Sequence, residues 1–232
     1  MSTPAAPPRA AVLVLAKAPE PGLVKTRLCP PATPGQAAGI AAAALLDTLD
    51  ATTRVPGSAT VVALAGDIGR AVRADALRRR LGRTMRIGQC GDALGPRIAN
   101  AHADVAARWP GLPTVQVGMD TPQLTPALLD EALTRLDRAD AALGPAADGG
   151  WWAVALRDPT AATLLADVPT SRSDTGERTI AALRAGGLRG AALPELTDVD
   201  TMADALAVAE QVPGSRFAAA VGALTAGPVT SP

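Results

Sequence analysis

The sequence predicts an α/β fold, a three-layer αβα arrangement built on a mostly parallel, twisted sheet. Three observations predict it. Short apolar runs alternate with longer Ala- and Leu-rich segments along the whole chain, the pattern of strands alternating with helices. Helix-start signals, a threonine followed by proline at Thr33-Pro34 and Thr125-Pro126, open two of the longer segments. Polar clusters follow directly on several of the short runs, as they do where the strand ends of an open sheet carry a binding site.

At 232 residues the chain can bury one sizeable core. Its formal net charge is zero, which excludes the basic excess of a general nucleic-acid binder. The two cysteines, Cys29 and Cys90, form no disulfide framework and lack metal-site spacing, which fits a reducing cytoplasm. No run approaches the about 18 apolar residues of a membrane helix. The first apolar run is too short for a signal peptide, and Lys17 and Pro19 interrupt it. With no tyrosine, one phenylalanine and three tryptophans, the core must be built from Ala, Leu and Val on closely spaced elements.

Residues 1–10 are Pro/Ala-rich and read as a flexible N-terminus. Ala11–Ala16 is a buried strand, followed by a loop over 17–33. Thr33-Pro34 opens a helix over about 34–50. Thr60–Ala65 is a second strand and 67–82 a helix with an arginine-rich face. Met85–Gly88 is a short strand, and residues 89–97 are a loop leading into a helix to about Arg108. Thr114–Val117 is a strand, and Thr125-Pro126 starts a helix to about Leu136 with Leu128, Leu129, Ala132, Leu133 and Leu136 on one face. Ala141–Leu143 and Trp151–Leu156 are strands. Helices are predicted at 160–166 and 175–186, and a last strand at 188–193. Thr201 and Asp204 resemble a capping box opening a helix to about Gln211. A single domain over 11–212 results, with 213–232 a partly disordered C-terminal extension carrying a possible short helix around 217–224.

The loop of 17–33 is chemically distinctive. Of 22 basic residues only Lys17 and Lys25 are lysine, and both lie here with Arg27. A lysine is a compact point charge that can follow a phosphate, so a strand feeding this Gly/Pro loop reads as an anion-binding loop. It is not a P-loop: Gly22-Leu23-Val24-Lys25-Thr26 lacks the glycine immediately before the lysine. Three further clusters follow strands: Asp120 in Gly118-Met119-Asp120-Thr121-Pro122, Asp148 in Asp148-Gly149-Gly150, and the pair Asp198/Asp200. Two residues apart in an extended segment, Asp198 and Asp200 point to the same side. Carboxylates held together call for neutralisation, and Mg²⁺ or Mn²⁺ supplies it; the same aspartates can instead cap helices or turns. Asp148-Gly149-Gly150 can be a tight turn or a place where a ligand approaches the backbone. Trp151 and Trp152 should face opposite sides of their strand. His102, the single histidine, reads as packed rather than as a base, which disfavours a Ser-His-Asp hydrolase.

Taken in order, AKAPEPGLVKTRL, GMDTP, LGPAADGGWW, TGERT and TDVDTMADAL resemble the DUF2064 family, GT-A-type glycosyltransferase-like proteins of which some are named for arsenosugar biosynthesis. KTRL, D-x-P and DVDT also resemble the guanylyltransferases of coenzyme F420 synthesis. The resemblance spans about Ala11 to Leu206. It implies a nucleotide-diphospho-sugar transferase fold and a nucleotide or nucleotide-sugar donor whose phosphates meet Lys17, Gly22, Lys25, Thr26 and Arg27. It implies metal ligands at Asp120, Asp198 and Asp200. An acceptor or sugar pocket for a small molecule would be lined by Asp148, Gly149, Gly150, Ser171 and Ser173. This chain reads Pro169-Thr170-Ser171 where the family often carries a Trp-Ser pair.

Two reactions suit this set. In glycosyl transfer from a nucleotide diphosphate sugar, Lys25 and the metal stabilise the departing diphosphate, and Asp148 is the candidate base if the reaction inverts. In nucleotidyl transfer a phosphorylated acceptor attacks a nucleoside triphosphate, and no strong base is required. A nucleotide-binding module without catalysis is the third reading.

Overall fold

The structure, a computed structural model, describes residues 7–225. Seven strands form one sheet: β1 (Ala10–Lys17), β2 (Ser58–Ala65), β3 (Met85–Gly88), β4 (Thr114–Val117), β5 (Ala141–Pro145), β6 (Trp151–Leu156) and β7 (Gly190–Ala192). Their order is β3-β2-β1-β4-β6-β5-β7. Only β6 runs antiparallel to its neighbours, β4 and β5; the remaining pairs are parallel. Seven α-helices flank it: α1 (Pro34–Thr52), α2 (Ala74–Leu81), α3 (Leu94–Arg108), α4 (Pro126–Arg135), α5 (Thr175–Ala185), α6 (Met202–Gln211) and α7 (Arg216–Thr225).

The sheet is covered on both faces, which is why β1 is apolar at every position from Ala10 to Ala16. Val12, Val14 and Ala16 pack with α1, α2 and α4, whereas Ala11, Leu13 and Leu15 pack with α3 and α5 on the opposite side. α1 begins on the predicted signal: Thr33 Oγ1 accepts from Gln36 N, Gln36 Oε1 accepts from Thr33 N, and Pro34 fills the first turn. Its outer side is apolar too. Ala37, Ile40 and Ala44 meet Ala205 and Val208 of α6 and Phe217 and Val221 of α7 in a third core cluster. A helix that is apolar all round is an internal helix.

Several elements differ from their predicted form. The helix expected over 67–82 is split into a 3-10 turn (Ile68–Arg70) and α2, with Ala71 extended and Arg73 left-handed at φ 60. Gly66 and Gly69 weaken helix in the first half, and Asp67 caps Gly69 N instead. The helix expected at 160–166 is a 3-10 helix, Pro159–Leu165, and the last strand contracts to three residues. Within the C-terminal extension, α7 packs on α1 and α6, and Phe217 is fully buried. At the other end, Arg9 pairs with Asp130 and Arg9 N donates to Gly57 O. Of the segments expected to be loose, 1–10 and 213–232, residues 1–6 and 226–232 lie outside the described residues. No helix among the described residues is long and apolar enough to cross a membrane.

The strand order reverses at β1. The chain moves outward through β2 and β3, then returns by α3 to β4 on the other side of β1. The loops after β1 and β4 therefore face each other across the carboxyl edge of the sheet, where α/β proteins bind ligands.

Candidate active site

A crevice of about 860 Å³ opens at that edge, within the usual range for a small-molecule site. One wall is the loop after β1, whose base is tied down. Glu20 is buried; its Oε1 accepts from Asp67 N at 3.0 Å and its Oε2 pairs with Arg70 Nε at 3.1 Å, while Val72 N donates to Pro19 O at 3.0 Å. Gly22, at φ 78, turns the tip. Lys17 Nζ donates to Leu23 O at 2.9 Å. Lys25 then adopts left-handed geometry, φ 47 and ψ 39, a conformation that costs a non-glycine residue free energy. It sends its side chain inward until it is only 12% exposed.

The opposite wall is the segment after β4. Val199 N donates to Asp120 O at 3.1 Å, and Thr121 Oγ1 donates to Asp198 Oδ1 at 2.5 Å. Val199 is buried, so Asp198 and Asp200 flank it as the alternation predicts and reach the crevice beside Asp120. Lys25 Nζ lies between them, 2.7 Å from Asp120 Oδ2 and 3.2 Å from Asp200 Oδ1. Arg27 NH1 reaches Asp200 Oδ2 at 3.2 Å.

The charges register this crowding. Burial lowers the Lys25 pKa, but the charges and hydrogen bonds of Asp120 and Asp200 outweigh it and the net shift is upward. Among the described residues, Asp198 forms no ion pair, unlike Asp120 and Asp200. Burial, then the charge of Asp120 and more weakly that of Asp148, push its carboxyl up to about 7, against the opposing pull of the Thr121 hydrogen bond and Lys25.

The predicted ligand set thus converges, with one difference from expectation. Among the described residues, no three His, Cys, Asp or Glu side chains are disposed to hold a metal as they stand; the ammonium of Lys25 takes the place between Asp120 and Asp200. The donor chemistry still fits. Three carboxylates supply hard oxygens suited to Mg²⁺ or Mn²⁺, and all three line the same crevice.

At the far end, Asp148 lines the crevice and uses Oδ1 to accept from Gly150 N at 2.8 Å. This turn is stitched to α5: Gly176 N donates to Gly149 O at 2.8 Å. Gly149 has φ 86, and a Cβ there would lie 2.0 Å from Ser173 O, so no other residue fits. The glycine pair thereby sets Ser171, Arg172 and Ser173 at the rim. Arg172 and Arg178 both hydrogen-bond Asp174, which holds its carboxyl down at about 2. Of the predicted site residues, Gly22 and Gly149 shape turns outside the lining; all the others line the crevice.

Sequence reasoning missed a further wall formed by Leu15, Gln89, Leu94, Ile98, Gln116 and Trp151. Gln89 Nε2 donates to both Ala16 O and Ala63 O at 2.9 Å, which spends its two amide hydrogens and leaves Oε1 as an acceptor. Gln116 is 3% exposed and its Oε1 lies 3.2 Å from His102 Nε2. His102 Nδ1 lies 3.0 Å from Thr114 Oγ1. Burial lowers the His102 pKa to about 4, so the ring is neutral. With Nε2–H donating to Gln116 Oε1, the Gln116 amide N–H groups are left for the crevice. Gln89 stands immediately after a strand, and that position was the available signal. Trp152 is buried in the core and Trp151 packs on the other face, as alternation predicts.

No functionally curated protein matches this chain in sequence. Among solved structures it is similar to a protein from Desulfovibrio desulfuricans G20 provisionally named a nucleotide-diphospho-sugar transferase, with TM-score 0.82 and 26% identity over 94% of this chain and 96% of that one. It is also similar in fold to the manganese complex of Rv0371c from Mycobacterium tuberculosis H37Rv, with TM-score 0.52, 22% identity and coverage of 88% and 100%. A third is 4-diphosphocytidyl-2C-methyl-D-erythritol synthase from Anaerococcus prevotii DSM 20548, with TM-score 0.56, 10% identity and coverage of 94% and 97%. The fold is that of the nucleotide-diphospho-sugar transferases. The family model described as "Uncharacterized protein conserved in bacteria (DUF2064)" matches residues 48–172. The chain belongs to the DUF2064 family.

Proposed function

We propose that this protein is a metal-dependent transferase that uses a nucleotide-activated donor, with glycosyl transfer from a nucleotide diphosphate sugar to a small-molecule acceptor as its reaction. The observation that carries the reading is the meeting of Lys17, Lys25 and Arg27 with Asp120, Asp198 and Asp200 in one crevice. Phosphates need the cations, and a phosphate-bridging metal needs the carboxylates. Asp120, Asp198 and Asp200 would hold Mg²⁺ or Mn²⁺, which supplies Lewis-acid stabilisation of a departing diphosphate.

Lys17 binds diphosphate oxygens at little cost, since among the described residues its ammonium is tied only to a loop carbonyl. Lys25 and Arg27 place positive charge where the leaving group gains negative charge. Gln89 and Gln116 offer a planar polar group one fixed acceptor and one fixed donor between the apolar Leu15, Leu94 and Ile98, an environment suited to a nucleobase. Asp148 keeps Oδ2 for a proton on the acceptor hydroxyl, and Ser171 and Ser173 line the acceptor end. We place the protein in the cytoplasm, where its two free cysteines stay reduced.

Nucleotidyl transfer to a phosphorylated acceptor is the second reading. It is favoured by the engagement of Asp148 with its own turn, since that reaction requires no strong base. A thermal-shift panel separates the two: nucleoside triphosphates against UDP- and GDP-sugars, each with and without Mn²⁺. A ligand at 100 times its Kd adds about 2.7 kcal/mol. Metal-dependent stabilisation by nucleotide sugars alone supports glycosyl transfer; stabilisation by triphosphates alone supports nucleotidyl transfer. A flat panel contradicts both.

A further inference from the structure

We propose that Lys25 is a built-in counter-cation of the aspartate cluster, and that a divalent metal displaces it only when a diphosphate is present to receive the lysine, so that metal and diphosphate load as one unit. This rests on reading the crevice as a metal-dependent nucleotide site.

The geometry points to competition for one position. The ammonium bridges Asp120 Oδ2 and Asp200 Oδ1 at 2.7 and 3.2 Å. A metal bound to the same oxygens would sit within a few ångströms of that ammonium, and two cations so close repel strongly in a partly buried site. Asp200 is also engaged by Arg27. A metal arriving alone must therefore expel the lysine from both of its carboxylate partners.

A diphosphate arriving alone meets the reverse problem. The crevice is lined by five aspartates and four lysines or arginines. Drawing Lys25 onto a phosphate strips Asp120 of its partner and removes one of the cations that hold Asp200. When both ligands enter, each charge finds a partner. The lysine moves to the phosphate and the metal takes the carboxylates. The backbone is suited to such a move. Lys25 sits left-handed, three residues after Gly22, which is left-handed too. The tip residue Leu23 is exposed, while Glu20 holds the base of the loop. By linkage, the factor by which diphosphate tightens the metal equals the factor by which metal tightens diphosphate.

Two measurements test this. The first compares Mn²⁺ binding without any nucleotide, by the electron paramagnetic resonance of free Mn²⁺, in the wild type and in Lys25→Met. The variant keeps the length of the side chain and removes its charge. It should bind Mn²⁺ at least tenfold more tightly than the wild type. The second uses the wild type, whose two lysines give two resolved signals on [13Cε]-lysine labelling. Mg²⁺ alone should leave the Lys25 signal in place, and Mg²⁺ with inorganic pyrophosphate should shift it; this reading decides the matter if Lys25→Met does not fold. Equal Mn²⁺ affinity in the two proteins overturns the proposal, and so does a full shift of the Lys25 signal with Mg²⁺ alone. If either occurs while nucleotide sugars or triphosphates still stabilise the wild type in a metal-dependent way, the transferase reading stands and only the role of Lys25 falls. If no form takes up metal and no nucleotide stabilises the protein, both fall.

Discussion

Thr121 donates a 2.5 Å hydrogen bond to Asp198, 77 residues later in the chain. The contact locks the segment after β4 to the segment before α6 and favours the charged form of a carboxyl that burial and Asp120 push up to about 7. Thr121 is itself fully buried. Thr121→Val should therefore cost about 1.5–3 kcal/mol, the range for a hydrogen bond to a charged group, when urea melts are run above pH 7. It should cost less near pH 5, where Asp198 is protonated.

The pH dependence of stability has a definite sign. Asp198 keeps its proton in the folded state up to about pH 7 but loses it near its ordinary value of 3.8 when unfolded. Between those values the native state binds more protons, and this group makes stability fall as pH rises. His102 acts the other way: its folded pKa is about 4 against 6.5 unfolded, so its contribution rises with pH across that window. The two oppose each other in the metal-free wild type and flatten its profile. In Asp198→Asn the histidine acts alone, and stability should climb between pH 4 and 6.5. Urea midpoints at half-unit pH steps check this; a variant profile parallel to the wild type would contradict it.

Asp120→Asn should remove metal-dependent stabilisation by nucleotide while leaving the fold intact, because the structural bond at this position uses the backbone carbonyl, which accepts from Val199 N. Circular dichroism and thermal shift read the two effects separately. Loss of folding would make Asp120 a structural residue instead of a ligand.

Lys25→Arg keeps the charge but replaces a compact ammonium by a planar fork. In a site where Nζ contacts two carboxylates from separate segments, the fork cannot reproduce both the resting and the phosphate-bound positions. Turnover of the donor identified by the nucleotide panel should drop by about 10²-fold, the scale for losing one preorganised electrostatic group, with the melting temperature little changed. Wild-type turnover would show that charge alone matters.

Gln116→Leu tests the wall that carries Gln89 and Gln116. If Gln116 reads the nucleobase, the variant should lose roughly tenfold in affinity for the preferred nucleotide, about 1.4 kcal/mol, and bind pyrophosphate as the wild type does. Equal losses for both, measured by calorimetry, would make Gln116 a packing residue.

Much of this was legible in the sequence because local signals and global pattern agree. The central strand β1 and its neighbour β2 are largely apolar runs, and Thr33, Thr125 and Thr201 cap the helices they were expected to start. The direction of β6 follows from chain length alone: only Ala146–Gly150 separates it from β5, far too short for a parallel crossover. The docking of α7 was not legible. One phenylalanine in an Ala-rich tail gives no sign that it fills a pocket between α1 and α6. The aspartates and lysines announced themselves by following strands, but their pairing could not be read. Whether Lys25 faces a ligand or Asp120 depends on a left-handed backbone at residue 25, and nothing in its residue type encodes that. Gln89 and Gln116 escaped notice because an amide gains its direction only from what holds it, here two strand carbonyls and a buried histidine.

A crystal of the protein grown with Mn²⁺ and a nucleoside diphosphate, read by the anomalous signal of manganese, tests the metal-dependent nucleotide site most sharply. A manganese peak should lie on the carboxylates of Asp120 and at least one of Asp198 and Asp200, with the diphosphate against Lys17 and Lys25. Manganese bound elsewhere, or a diphosphate seated away from the loop after β1, would contradict it.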